Sequence, residues 1–177
     1  MSGLVPDKIT VELLKSKGAC EGNLELFNEI FPDGMELSAA NLRLASNAGL
    51  GIVWGIDRFL DEETTLKLRS AMQNAASVFR SSSQDAQFAC NEACASAVKD
   101  YWQTRNQAFE DIPNKNEGVH SFAEDDPTYQ KVVGEAEDVL VKAKQDASLA
   151  RDNAIWMAKI AYNNVIAEEL IRVLELT

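Results

Sequence analysis

Residues 132–161 read VVGEAEDVLVKAKQDASLARDNAIWMAKIA, and this segment carries the clearest structural pattern of the chain. Its apolar positions recur in alternating steps of four and three residues, which is the period of a coiled-coil seam. These positions are Val133, Ala136, Leu140, Ala143, Ala147, Ala150, Ala154, Met157 and Ala161. The run from Thr128 to Leu176 contains no proline, and Gly134 is its one weak helix position. The pattern therefore predicts one long helix with a partner along its alanine-rich side.

A second long helix is predicted from Glu62 to Phe109. Nearly the same spacing is kept there by Leu68, Met72, Ala75, Phe79, Ser82, Ala86, Ala89, Ala93 and Ser96. Small side chains let two helix axes approach to the lower end of the usual range of about 8–10 Å. Ser81–Ser83 can interrupt this helix, because serine competes for backbone hydrogen bonds. We expect a kinked but continuous helix, packed against the other as an antiparallel hairpin.

Residues 1–60 contain the start and stop signals of four short helices. Thr10 and Ser38 are suitable N-caps, and Pro32–Gly34 and Gly49 mark turns. No alternating pattern of β-branched residues occurs, so we expect no sheet. After Ala161 the apolar positions of the last helix shift to larger side chains, and we expect this end to pack on the N-terminal helices. The shifted positions are Val165, Ile166, Leu170, Val173 and Leu174.

The sequence as a whole thus predicts an all-α protein. Residues 1–60 form a cluster of short helices, and residues 61–177 form the long alanine-rich hairpin, with its loop at residues 110–127. We expect the two parts to make one continuous structural unit. The 177 residues with 46% hydrophobic content are enough for a folded core.

The composition restricts the partners. The formal net charge is −11, and no Lys/Arg cluster is present that could neutralise a phosphate backbone, so we expect no direct nucleic-acid binding. An acidic surface prefers basic partners; the alternative is that the charge merely maintains solubility. No apolar run reaches the roughly 20 residues of a membrane span.

The N-terminus and the cysteines indicate a compartment. The first residues, MSGLVPDKIT, lack the basic and apolar regions of a secretory signal, so we expect the mature chain to begin here. Three cysteines cannot form a complete set of disulfides within one chain, which fits a reducing compartment. We expect a cytoplasmic protein of a bacterium or of a phage-infected cell.

Residue types that support catalysis or metal binding are scarce. His120 is the one histidine, and it lies in an acidic loop where an incidental surface role is the favoured interpretation. Cys20, Cys90 and Cys94 could offer three thiolates to zinc, but a fourth ligand is missing. We interpret the cysteines as small packing residues. No catalytic or cofactor motif is found, so we predict no enzyme activity, no cofactor and no metal.

The tryptophans permit two interpretations. Trp54, Trp102 and Trp156 fall one in each main segment, and we predict that they anchor the core. The alternative is an aromatic platform that binds a partner.

Carboxylates around the predicted loop are the remaining functional signal. They are Glu110, Asp111, Glu117, Glu124, Asp125, Asp126, Glu135, Glu137 and Asp138. Such a cluster can imitate a row of phosphates and dock on a basic groove of a nucleic-acid-binding protein. The alternative is a solvated loop with ordinary capping charges.

Residues 18–61 read GACEGNLELFNEIFPDGMELSAANLRLASNAGLGIVWGIDRFLD. This segment resembles the opening of short all-helical accessory proteins of phages and bacteria, whose function is unknown. The residues that carry the resemblance are Ala19, Cys20, Phe27, Phe31, Gly34, Gly49, Leu50 and Trp54. The resemblance implies an accessory protein of a phage or mobile element and implies no activity.

Two functional hypotheses follow. The first is a non-enzymatic acidic binding protein that docks on a basic host defence protein and inhibits it. The alternative is a structural protein that self-assembles, for example as a homodimer, through its alanine-rich seams.

Overall fold

The structure is a computed structural model that describes residue 6, residues 8–112 and residues 126–176. This part of the chain is 83% helical and contains six helices. The short helices are α1 (Val11–Ser16), α2 (Glu21–Ile30), α3 (Ala39–Asn47) and α4 (Ile52–Phe59). The long helices are α5 (Glu62–Glu110) and α6 (Pro127–Leu174), and α5 packs against α6. The all-α prediction is confirmed.

Local capping signals determine where the helices begin. The Thr10 hydroxyl accepts a hydrogen bond from the Leu13 N–H at 3.2 Å, and Ser38 accepts one from Asn41 at 3.2 Å. Asp61 accepts one from the Thr64 N–H at 2.8 Å at the start of α5. That hydrogen bond lowers the pKa of the Asp61 carboxyl. Each cap satisfies an N–H group that has no partner within its own helix.

Two very short strands correct the expectation of no sheet. β1 (Lys8–Ile9) and β2 (Met35–Glu36) pair antiparallel, with Ile9 opposite Met35. Gly34, at φ +87°, turns the chain after α2, and a Cβ there would lie 2.9 Å from the Ile9 carbonyl oxygen. A pairing of only two residues per strand, positioned by this turn, does not require an alternating pattern of β-branched residues. The sequence pattern therefore could not predict it.

The described residues divide into two compact units, and both long helices contribute to each of them. Unit 1 extends to Ser83 and resumes at Ile155; unit 2 comprises Gln84–Ala154. Unit 1 therefore combines the four short helices with the start of α5 and the end of α6. In unit 1, Phe27 and Leu42 of the short helices share a core with Leu170 of α6.

Polar contacts within unit 1 join α3 and the following turn to α6. The Arg43 guanidinium donates two hydrogen bonds to the Glu168 carboxylate, at 2.7 and 3.0 Å. The buried Asn163 side chain donates to the Leu50 carbonyl at 3.1 Å. Asn164 accepts a hydrogen bond from the Ser46 hydroxyl. These bonds satisfy polar groups next to the apolar core.

The predicted seams face inward for only part of their length. The predicted seam positions of α5 up to and including Ala86 are buried or partly buried, and so are those of α6 up to and including Ala147. The later predicted positions are exposed: Ala89, Ala93 and Ser96 on α5, and Ala150, Ala154, Met157 and Ala161 on α6. Val165 is exposed as well. α5 is continuous through Ser81–Ser83, and the Ser83 hydroxyl donates to the Phe79 carbonyl at 2.8 Å.

The physical reason is a change of period at the same level of both helices. On α5 the inward positions continue from Ala86 to Cys90 and Cys94, and on α6 from Ala147 to Arg151, in steps of four. A straight α-helix has about 3.6 residues per turn, so a strict seven-residue repeat drifts around it. The steps of four correct this drift, and they rotate the later alanines out of the seam.

Candidate functional site

A cleft of about 710 Å³ lies in unit 2, where α5 ends and α6 begins. It is lined by Gln103, Thr104, Gln107, Ala108, Asp111, Ile112, Asp126, Thr128, Tyr129 and Val132. The cleft brings together Asp111 and Asp126, two of the carboxylates that the sequence singled out. They are 15 positions apart in the sequence, and the antiparallel arrangement of the helices places both in the lining of one cleft.

Aromatic and cationic side chains hold the two helices together beside the cleft. Tyr129 is buried, and its hydroxyl accepts a hydrogen bond from Arg105 Nε at 3.1 Å. The Arg105 guanidinium lies 5.1 Å from the centre of the Trp102 ring, and Tyr101 meets that ring edge-on at 5.5 Å. A cation over an indole face is an attractive contact. The hydrogen bond between Arg105 and Tyr129 thus joins α5 to α6 beside the cleft.

Both cleft carboxylates are oriented by hydrogen bonds within their own segments. The Gln107 amide donates to Asp111 Oδ1 at 2.9 Å. Asp126 Oδ1 accepts from the N–H groups of Thr128 and Tyr129, at 2.7 and 3.1 Å, and so caps α6. A carboxylate has about four acceptor positions. Each of them therefore keeps acceptor capacity for a further donor.

The charged side chains among the described lining residues of the cleft are both carboxylates. Among the described residues that line it there is no lysine or arginine, while the amides of Gln103 and Gln107 and the hydroxyls of Thr104 and Thr128 supply neutral polar groups. A concave surface lined by charge of one sign concentrates its field. The arrangement is suited to a cationic group.

The other predicted carboxylates are not gathered on one face. Glu110 is exposed at the end of α5, and Glu135, Glu137 and Asp138 are exposed on α6. Glu135 and Glu137 are two positions apart, so they point to different sides of the helix. Glu117, Glu124 and Asp125 lie outside the described residues, as does His120.

The tryptophans correct the prediction that all three anchor the core. Trp102 is 48% exposed and Trp156 is 44% exposed, whereas Trp54 is partly buried. In unit 1, Trp156 covers the turn between α3 and α4, where Gly49 has φ +82° and a Cβ would collide with the indole. Trp102 is therefore not a buried core anchor, and its ring contacts the Arg105 guanidinium.

A polar layer lies near one end of unit 2, close to its limits at Gln84 and Ala154, where the seams change period. Arg151 donates to Ser148 Oγ at 3.1 Å and to Asp152 Oδ1 at 2.7 Å. Burial raises the pKa of the Cys90 thiol, and neighbouring Cys94 raises it further, while the charge of Arg151 acts in the opposite direction. A protonated thiol is a poor nucleophile and a poor ligand. No group of three or more His, Cys, Asp or Glu side chains among the described residues is placed to hold a metal ion.

Comparisons with known proteins add no family assignment. No family model matches the chain, and neither does any curated protein or solved structure. None of the helices within the described ranges has a segment that is both long and apolar enough to cross a membrane. The resemblance of residues 18–61 to phage and bacterial accessory proteins stays a prediction.

Proposed function

We propose that this chain is a non-enzymatic binding protein and that the cleft of unit 2 receives a basic side chain of a partner protein. The observation that carries the proposal is that Asp111 and Asp126 line one cleft without any lysine or arginine among its described lining residues.

The chemistry of the cleft favours arginine or lysine. A guanidinium donates in a planar fork to carboxylates, and such charge-assisted bonds are about twice as strong as neutral ones. The amides of Gln103 and Gln107 can orient the same group. The net charge of −11 would speed the approach of a basic protein, and the rate would fall as salt increases.

The resemblance of residues 18–61 to phage and bacterial accessory proteins extends this proposal to an origin and a role. We propose that the chain is encoded by a phage or mobile element and that it inhibits a basic host defence protein in the cytoplasm by binding it through this acidic docking site. A nucleic-acid-binding protein is the partner class that presents the matching basic groove.

The test is capture of partners from nuclease-treated host lysate at low and high salt, with wild type and the Asp111→Lys/Asp126→Lys variant. We expect a basic protein that binds wild type at low salt and is lost with the variant. The control is Glu25→Lys/Glu29→Lys, which makes the same charge change on exposed positions of α2. Equal capture by both variants would refute the assigned cleft.

Self-association is a second candidate, and the change of period in the seams favours it. Ala89 and Ala93 precede Cys90 and Cys94 by one position, and Ala150 precedes Arg151 by one. In an antiparallel pair, positions just before the seam residues of both helices lie on the same side. Unit 2 therefore exposes small side chains from α5 and α6 on one side, where another helix pair can approach closely.

The oligomeric state tests this second candidate. We expect Ala93→Arg to shift a concentration-dependent dimer to monomer in analytical ultracentrifugation, whereas Gln87→Arg, at an exposed position on a different side of α5, leaves it unchanged. A monomer of wild type at every concentration would exclude self-association.

A further inference from the structure

Unit 1 contains an apolar cavity of about 100 Å³ between the short helices and the end of α6. Phe27, Leu42 and Ile56 form part of its wall, and Leu170 of α6 contributes to the other side. These four side chains are each at most 5% exposed. Protein interiors are close-packed, with few voids larger than one water molecule. This cavity is several times larger than the roughly 10–15 Å³ that is the minimum for holding one water.

Water is a poor occupant of this cavity. Among the described residues that line it, the side chains with polar atoms are Asn23, which is exposed, and Trp54, whose indole has a single N–H donor. A buried water requires two to four hydrogen-bonding partners, and apolar cavities that lack them stay dry. An empty cavity lowers the stability of the fold in proportion to its volume. An apolar molecule is therefore the occupant that the lining favours.

A helical glycine beside the cavity supports this inference independently. Gly55 lies within α4 and lines the cavity. Glycine is unfavourable inside a helix, and crowding does not require it here: a Cβ at Gly55 would meet Phe59 Cδ2 at 3.9 Å, an ordinary contact. Because glycine has no side chain, the cavity is wider at this position than it would be with alanine.

Some of the lining side chains near the end of α4 are partly exposed to solvent. Trp54 and Phe59 are partly buried and line the cavity, and their rings meet edge-on at 6.2 Å. Leu60, also partly buried, follows at the end of the helix. Side chains that reach from the solvent to the cavity can admit a ligand by changing rotamer.

We propose that this cavity is a binding site for a small apolar molecule, of the size of one aromatic ring or a short alkyl chain. The ligand would rest against Phe27, Leu42 and Ile56 and be covered by Trp54 and Phe59. The site lies in unit 1 and is independent of the carboxylates of unit 2.

The experiment uses toluene and hexane as probes on the full chain. We expect the melting temperature to rise with probe concentration, because a ligand that binds the folded state stabilises it. In methyl NMR spectra, the signals of Leu42 and Ile56 should shift selectively. No rise in melting temperature, or shifts confined to exposed methyl groups, would overturn the proposal.

Variants that fill the cavity provide the decisive comparison. Ala45→Leu places a larger side chain at a buried lining position and should abolish the response to toluene. Gly55→Ala adds one methyl group and should weaken it, which keeps the test valid if the larger variant does not fold. The matched control is Gly22→Ala in α2, where a Cβ meets nothing within 4 Å and which does not line the cavity. An unchanged response in Gly55→Ala and in folded Ala45→Leu would refute the site.

Discussion

The two units differ in how they are held together. The apolar core of unit 1 joins residues from all four short helices, α5 and α6 in one cluster, and Leu68 and Ile166 in it are fully buried. In the described part of unit 2, the buried side chains are Cys90 and Tyr129, each 8% exposed. Two helices alone cover little of each other's surface, especially with small seam residues. The difference indicates that unit 1 supplies most of the free energy that stabilises the fold, whereas unit 2 mainly exposes helix surface to solvent.

The largest effect is expected from truncating the core of unit 1. Ile166→Ala removes a side chain that is 0% exposed, and such changes cost about 2–5 kcal/mol. Leu140→Ala, at a partly buried position of unit 2, should cost about half as much or less, because part of the side chain already contacts water. Urea denaturation measures both free energies of unfolding. Equal losses would remove the distinction between the units.

The turn between α3 and α4 offers a second test within unit 1. Gly49→Ala forces an L-residue into the left-handed region, at a cost of about 1–2 kcal/mol, and adds a collision with the Trp156 ring. In the Trp156→Ala background the collision disappears and the backbone cost remains. A double-mutant cycle from thermal denaturation measures the difference. Additive effects of the two substitutions would show that the indole does not restrict this turn.

In unit 2, a smaller effect is expected at the contact beside the cleft. Tyr129→Phe removes the hydrogen bond from Arg105 Nε and should cost about 0.5–1.5 kcal/mol. The loss should appear as faster amide exchange in the last turns of α5 and the first turns of α6. Tyr162→Phe in unit 1 is the comparison, and it should leave those amides unchanged. Unaltered exchange in Tyr129→Phe would show that this contact does not hold the cleft.

The smallest effect is expected from pH. The Thr64 N–H lowers the pKa of Asp61, so the folded state binds this proton more weakly than the unfolded state. The stabilisation is therefore present above the ordinary pKa of aspartate, about 3.9, and is lost as pH falls through the lower, folded value. Asp61→Asn should reduce the loss of stability in acid, as measured by urea denaturation between about pH 5 and 2. An identical acid profile for wild type and variant would contradict this role of the cap.

Helix limits could be predicted because their signals are local. Thr10, Ser38 and Asp61 each bond an N–H within three residues, so a short window of sequence contains the whole interaction. The inward face of the long helices could be predicted only over the part where a strict seven-residue repeat still follows it. Further along, that repeat drifts around the helix. The inward face then moved to Cys90 on α5 and to Arg151 on α6, and an apolar pattern does not select an arginine.

The site could be predicted only in part for a similar reason. The sequence identified Asp111 and Asp126 as candidate binding carboxylates. That both line one cleft depends on the antiparallel packing of α5 and α6, which no local sequence pattern shows. Glu135 and Glu137 are close in sequence, yet the helix points them apart. The cavity of unit 1 was missed because its lining residues come from seven separate helices and strands, and most of them look like ordinary core positions.

Native-state hydrogen exchange at increasing urea tests the division of roles most directly. We expect amides of α5 around Leu68 and Ala75 to exchange only through global unfolding, with the free energy and urea dependence of the whole protein. Amides of α5 and α6 in unit 2, around Cys94 and Ala143, should exchange through local opening at lower free energy and with weak urea dependence. Equal free energies and equal urea dependence in both units would contradict the account.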